Sequence, residues 1–329
     1  MPEPPPDPGG LLFAGHVFCD LVFTGVEAPK PGAEVHADGF AITPGGVANR
    51  AVAAARSGAA TTIVGRIGDD PLGAHVRAVL AAEPRLDSTL LTSVPGRQTP
   101  VSVALTGPVD RSFVTYEEPL GPIDLPEGAG RFAAAHLALE DPFPAWVGRL
   151  RRSGTSIVGG VGWDDSGRWP TGVLDRLAEV DVFVPNDVEA MRYTRTDDPA
   201  TAAKLLAERV PLVVVTCGRD GAVAVDSATG TLTRTPAIPV EVVDPTGAGD
   251  VFVATLMAAA RHPWTLSQRL RYATLHAALS VTGHGGALSA PRPSDLAEFL
   301  TRHRPDGDWG FLHAHLEHDA FFAAREDRR

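Results

Sequence analysis

Lysine is nearly missing from this 329-residue chain, with Lys30 and Lys204 the only two. Without a lysine in a glycine-rich turn there is no G-x-x-x-x-G-K-[ST] loop, which excludes a Walker-type nucleotide hydrolase. Cysteine is just as scarce. Cys19 and Cys217 lie far apart in apolar, strand-like runs, making neither a disulfide framework nor a zinc pattern, and a reducing, cytoplasmic setting follows. No unbroken apolar run reaches membrane length, so no membrane partner is expected. The proline-rich start, residues 1–10, lacks the basic region and apolar core of a signal peptide and reads as a disordered leader. Positive charge is also in deficit. A formal net charge of −11 and scattered arginines argue against a nucleic-acid partner, so phosphorylated ligands would have to be held locally. Aromatic residues are only 6% of the chain.

What the chain does have is 44% hydrophobic content, enough for a large core in one main domain, although the length alone would allow two. Strands are predicted at Leu11–Ala14, Thr61–Val64, His136–Leu139, Ser156–Val158, Val182–Val184 and Leu212–Thr216. Helices are predicted at Val47–Ser57, Leu72–Ala82, Ala145–Arg152 and Ala200–Arg209. Short, wholly apolar strands alternating with helices predict an α/β fold, a doubly wound and mainly parallel sheet with helices on both faces. Residues 34–42 and the pair Val101–Thr106 and Ser112–Tyr116 break that rhythm. They read as hairpin-type strands forming a small β-sheet lid.

The most telling stretch is Asp244-Pro245-Thr246-Gly247-Ala248-Gly249-Asp250, followed at once by the apolar run Val251–Met257. Gly247, Ala248 and Gly249 let backbone N–H groups approach an anion, and the positive end of the following helix adds to the attraction. Asp250 would repel a resting phosphate. It makes sense as a base that accepts the proton of an incoming hydroxyl while the amides stabilise charge on a transferred phosphoryl group. An N-capping aspartate after a glycine-rich loop is the plainer alternative.

These residues resemble the C-terminal signature of the ribokinase/PfkB carbohydrate kinase family, with Thr255 standing where that family usually has Ala or Gly. The resemblance implies that Asp250 is the catalytic base and that Gly247, Ala248 and Gly249 form the anion hole. Pro44-Gly45-Gly46-Val47-Ala48-Asn49, with Gly58 and the stretch Gly65–Gly73, resembles the family's first signature. There Gly45, Gly46 and Asn49 would meet substrate hydroxyls. Asp20 and Glu140, both read as following strands, resemble the family's sugar-binding carboxylates, and ligands gather at that edge of open α/β sheets. Asn186-Asp187-Val188-Glu189 resembles its N-x-x-E motif, in which Glu189 orders the water shell of Mg²⁺ bound to ATP; the same pair also makes a helix capping box. Thr216, Gly218 and Gly221 would border the ATP phosphates. Asp244 and Thr246, facing the stretch Ala277–Ala287, would flank a site for K⁺, which not every member uses.

The resemblance covers residues 11–301, leaving 302–329 as a C-terminal helical extension in which His313 and His315 do not face the same way and make a poor metal pair. Phe311, Leu312, Leu316, Phe321 and Phe322 would pack that extension on the body or on another subunit. The implied activity is ATP- and Mg²⁺-dependent phosphorylation of a primary hydroxyl on a small sugar or sugar derivative. A nucleoside kinase of the adenosine kinase type and a noncatalytic sugar-binding regulator stay open as alternatives. The resemblance also implies a lid that often mediates dimerisation, hence a homodimer.

Overall fold

A computed structural model describes residues 9–107, 111–139, 142–164, 166–283 and 285–316. The expected site residue Glu140, the leader up to residue 8, and Phe321 and Phe322 lie outside them. In chain order the elements are β1 (Gly10–Ala14), β2 (Val17–Thr24), β3 (Gly39–Gly46), α1 (Val47–Arg56), β4 (Thr61–Gly68), α2 (Pro71–Ala81), β5 (Leu86–Asp87), β6 (Leu91–Val94), β7 (Val101–Thr106) and β8 (Arg111–Tyr116). There follow β9 (Phe132–Ala138), α3 (Ala145–Arg152), β10 (Ser156–Gly160), a 3₁₀ stretch at Thr171–Glu179, β11 (Val182–Phe183), α4 (Asp187–Thr194) and α5 (Pro199–Leu206). The last are β12 (Leu212–Thr216), β13 (Ala222–Asp226), β14 (Thr231–Thr235), α6 (Ala248–Ala259), α7 (Leu266–Ser280) and α8 (Pro293–His303).

The main sheet has the order β14-β13-β12-β11-β10-β9-β1-β4-β5, with β6 also on β4. Its pairings from β12 through β10, β9 and β1 to β4, β5 and β6 are parallel, and only β13 runs against the rest, antiparallel to both β12 and β14. Period-two alternation in an all-apolar strand covers both faces. Leu11 and Phe13 of β1 enter the core built with α1, α2, α6 and α7, while Leu12 and Ala14 enter the core built with α3, α4 and α5. A third cluster joins α7, α8 and the helical residues 310–316 through Tyr272, Leu296, Trp309, Leu312 and Leu316. Among the described residues no helix is long and apolar enough to cross a membrane.

The small sheet, β3-β2-β7-β8, corrects two expectations. Asp20 does not follow the first strand; it sits in the middle of β2, because only Gly15 and His16 separate β1 from a second extended run. Gly45 and Gly46, read as a loop, are the last residues of β3, paired with Phe18 and Val17. The strand expected over 34–42 accordingly lies at Gly39–Gly46. Register against β2 decides this, and local composition does not carry register.

Candidate active site

The glycine turn is tied down from below by Asp244, which is 1% exposed. Its Oδ1 accepts from the Thr246 backbone N–H at 2.9 Å and its Oδ2 from that of Gly285 at 3.3 Å. The Val243 and Asp244 N–H groups both donate to the carbonyl of Val281, at 2.8 and 3.1 Å. The turn is thus laced to residues 281–285, and Gly247 leaves it at φ +77° to become the N-cap of α6. That left-handed backbone is why glycine is needed there. Asp250 lies on the first turn of α6, and every residue from Val251 to Ala259 is buried. Thr255, the departure from the resembled pattern, is fully buried and donates its hydroxyl to the Val251 carbonyl at 2.6 Å. Its polar group is satisfied inside the helix.

Across from this turn stands the small sheet. Asp20 is paired with Thr43 on β3 and Ser102 on β7, and Ser102 with Thr115 on β8. Residues in one rung share a face, so Thr43, Asp20, Ser102 and Thr115 form a polar rung across all four strands. That face looks toward the turn. A Cβ built on Gly285 lies 3.7 Å from the Thr43 methyl, one built on Gly286 lies 3.7 Å from Asn49 Oδ1 and from Thr246 Cγ2, and Asp250 acts electrostatically on Asp20. Burial pushes the Asp20 carboxyl up to about 7, with the charge of Asp250 adding to the effect. A Cβ at Gly45 would fall on the Asp20 carboxylate, so only glycine leaves that group its position. Asn49 is buried on the first turn of α1. The next residue, Arg50, brings Nη2 to 2.9 Å from Asp250 Oδ1.

On the other side of the turn lies a cleft of about 500 Å³, within the range of small-molecule sites. Thr216, Gly218, Gly221 and Gly249 line it together with a wall from Ala237 to Val242 and the helix positions Ala277 and Ala278. A Cβ on Gly218 or Gly249 would meet no atom within 4 Å, so both glycines open onto free space of the cleft. Gly221 is different: a Cβ there would collide with the Thr235 carbonyl, and its glycine serves the hairpin. Asn186 forms a bridge with Thr216, which brings the N-x-x-E segment beside the cleft. Its side chain caps α4, accepting from the Glu189 N–H at 2.8 Å, and Glu189 Oε2 accepts from the Asn186 N–H at 2.8 Å. Asn186 and Glu189 therefore do form the capping box, which holds Glu189 one helical turn from the Asn186 bridge to Thr216.

The structure thus gathers Asp20, Gly45, Gly46, Asn49, Asp244, Thr246, Gly247, Ala248, Gly249 and Asp250 around one turn, with Thr216 and Gly218 lining its cleft, Asn186 bridged to Thr216, and Glu189 in the capping box that follows. Arg50 and the wall from Ala237 to Val242 were not expected. Arg50 follows Asn49 directly, but nothing local marks its partner 200 residues away. The wall's signal is the stretch Ala237–Val243, apolar except for Glu241, in which Val242 is left 59% exposed. A separate basic cleft of about 570 Å³, lined by Arg56, Arg85, Arg261 and Arg292, sits at the far ends of α1 and α6, away from the turn. His315 rings against Trp264 and His262 instead of pairing with His313.

The sequence pattern described as pfkB family carbohydrate kinase matches residues 11–135 and 155–293. A fructokinase from Klebsiella pneumoniae is 33% identical over 294 residues, covering 78% of this chain and 92% of its own length. A nucleoside kinase from Methanothermobacter thermautotrophicus is 27% identical over 314 residues, covering 92% and 97%. Among solved structures, an Arabidopsis thaliana ribokinase complexed with ribose and ATP superposes with a TM-score of 0.71 at 22% identity, over 89% of this chain and 98% of its own. An E. coli protein described as ribokinase II, in complex with ATP and Mg²⁺, gives 0.73 at 20% identity, over 90% and 100%.

Proposed function

The chain belongs to the pfkB family of carbohydrate kinases and is a sugar or nucleoside kinase; from that premise we propose that it transfers the γ-phosphoryl group of ATP to a primary hydroxyl of a small sugar or sugar derivative. The observation that carries this reading is the placement of Asp250 on the first turn of α6, between the cleft and the polar rung that contains Asp20. Asp250 takes the hydroxyl proton as the O–H bond breaks and the new O–P bond forms, and the bond to the ADP leaving group breaks in line. The Gly247, Ala248 and Gly249 amides stabilise the charge that builds on the transferred group. Open space at Gly218 and Gly249 and the size of the cleft fit a nucleotide. Mg²⁺ supplies charge neutralisation on the phosphates. Such a cation would be held by the phosphates and by waters that Glu189 orders. A K⁺ ion near Asp244 and Thr246 would stiffen the turn.

The polar rung favours a polyhydroxylated acceptor over a nucleoside, because Asp20, Thr43 and Ser102 offer hydrogen-bond partners where a base would want apolar or aromatic walls. Replacement of Asp250 by Asn should lower kcat at least about 10²-fold with ATP affinity little changed, as losing a general base predicts. Turnover near the wild-type level would remove Asp250 from the reaction. An ATP-consumption screen over pentoses, hexoses, sugar acids and nucleosides decides the acceptor, and a nucleoside as the best substrate would overturn the sugar reading.

A further inference from the structure

The proposed base has a fixed cation at its side. Arg50 lies on α1, and its guanidinium meets Asp250 Oδ1 while the two side chains retain only 25% and 22% of their exposure. Its Nε is buried without a hydrogen-bond partner. Behind it, His136 on β9 is 1% exposed and neither ring nitrogen has a partner. Burial, with Arg50's charge adding, holds the imidazole well below its usual range, so the ring is neutral and keeps one acceptor nitrogen. An unpartnered N–H on Arg50 and an unpartnered acceptor on His136 therefore lie in one buried region beneath the turn.

Three roles are open to such an arginine, and charge decides among them. As a counter-ion for an anionic acceptor it would have to abandon Asp250, because its charge is already matched there. As a plain tie between α1 and α6 it would need no particular oxygen of Asp250. The third role uses the geometry. A carboxylate has two oxygens, and a charge-assisted bond to Oδ1 leaves Oδ2 for the acceptor hydroxyl. Arg50 also offsets the repulsion between Asp250 and Asp20, which would otherwise act without a countercharge at the reacting centre.

We propose that Arg50 is a positioning residue for the phosphoryl transfer, gripping Asp250 by Oδ1 so that Oδ2 meets the acceptor hydroxyl. The inference rests on Asp250 being the base. It is tested by a double-mutant cycle in steady-state kinetics with ATP and the best acceptor, using Arg50→Met, Arg50→Lys, Asp250→Asn and both double variants. Arg50→Met should lower kcat about 10- to 100-fold while the acceptor KM moves less than about threefold, and Arg50→Lys should recover part of the loss. Neither double variant should be slower than Asp250→Asn alone, since Arg50 acts through Asp250. Losses that multiply, or a loss carried by KM for anionic acceptors only, overturn the proposal. Should Arg50→Met fail to fold, the lysine arm of the cycle decides on the same criterion. Wild-type turnover in Asp250→Asn would instead defeat the base assignment itself, whatever Arg50 does.

Discussion

Asp20 shows what a buried carboxylate costs a fold. Its folded pKa of about 7 lies above the ordinary carboxyl value of 3.8 because burial, and then the charge of Asp250, oppose ionisation. The folded state consequently holds a proton that the unfolded chain releases between those two values, and stability attributable to Asp20 falls as pH rises from about 4 through about 7. Above that window the whole cost is present. Asp20→Asn should therefore raise the melting temperature at pH 8 on the order of 5 °C while changing it little at pH 4. The same variant should lose kcat/KM for the sugar, because an ionised acceptor becomes an amide. Equal melting-temperature shifts at both pH values would show that the carboxylate is not ionised against a penalty in the folded protein.

At the level of elements, the site is made where helices begin. The first turn of α6 supplies amides and Asp250, and α4 begins beside Thr216 with Asn186 and Glu189 closing a capping box. The proposed ordering of Mg²⁺-bound water would share the Glu189 carboxylate with the observed cap, and the two roles separate on substitution. Glu189→Gln keeps an oxygen for the Asn186 N–H but loses the charge. The Mg²⁺ concentration for half-maximal rate should rise about 3- to 30-fold with little loss of folding stability; an unchanged Mg²⁺ titration would leave only the cap. The turn ahead of α6 is held through Asp244 to Gly285. A K⁺ ion beside it predicts a faster reaction when Na⁺ is exchanged for K⁺ at constant ionic strength.

For the molecule as a whole, the small sheet has two unlike faces. One carries the polar rung and looks at the turn. The other, by alternation, carries Phe23, Phe40, Leu105, Val114 and Tyr116, with Phe23 and Phe40 paired across β2 and β3 at 4.8 Å. Phe40 is 57%, Val114 65% and Tyr116 53% exposed, an apolar area that a lone soluble chain rarely leaves uncovered. A homodimer through this face is the expected state. Light scattering at micromolar concentration should give twice the chain mass, and Val114→Lys should halve it; a wild-type monomer would dismiss the interface.

Much of this protein could be read locally. The glycine turn before an apolar run announced the start of α6 with an aspartate on its first turn, because that turn lies within seven consecutive residues. The alternation of short apolar strands with helices announced a covered parallel sheet, since period is a property of the segment itself. Asn186 and Glu189 were legible as a cap for the same reason. What no stretch of sequence carried was pairing between distant segments. β2 and the true end of β3 emerged only from register, the polar rung only from four strands side by side, and the cleft wall at Ala237–Val242 only from its folding over α6 and α7. The Arg50–Asp250 contact and the raised carboxyl of Asp20 belong to the same class. Ion pairs and desolvation depend on what surrounds a group in three dimensions, and that surrounding is set by tertiary packing.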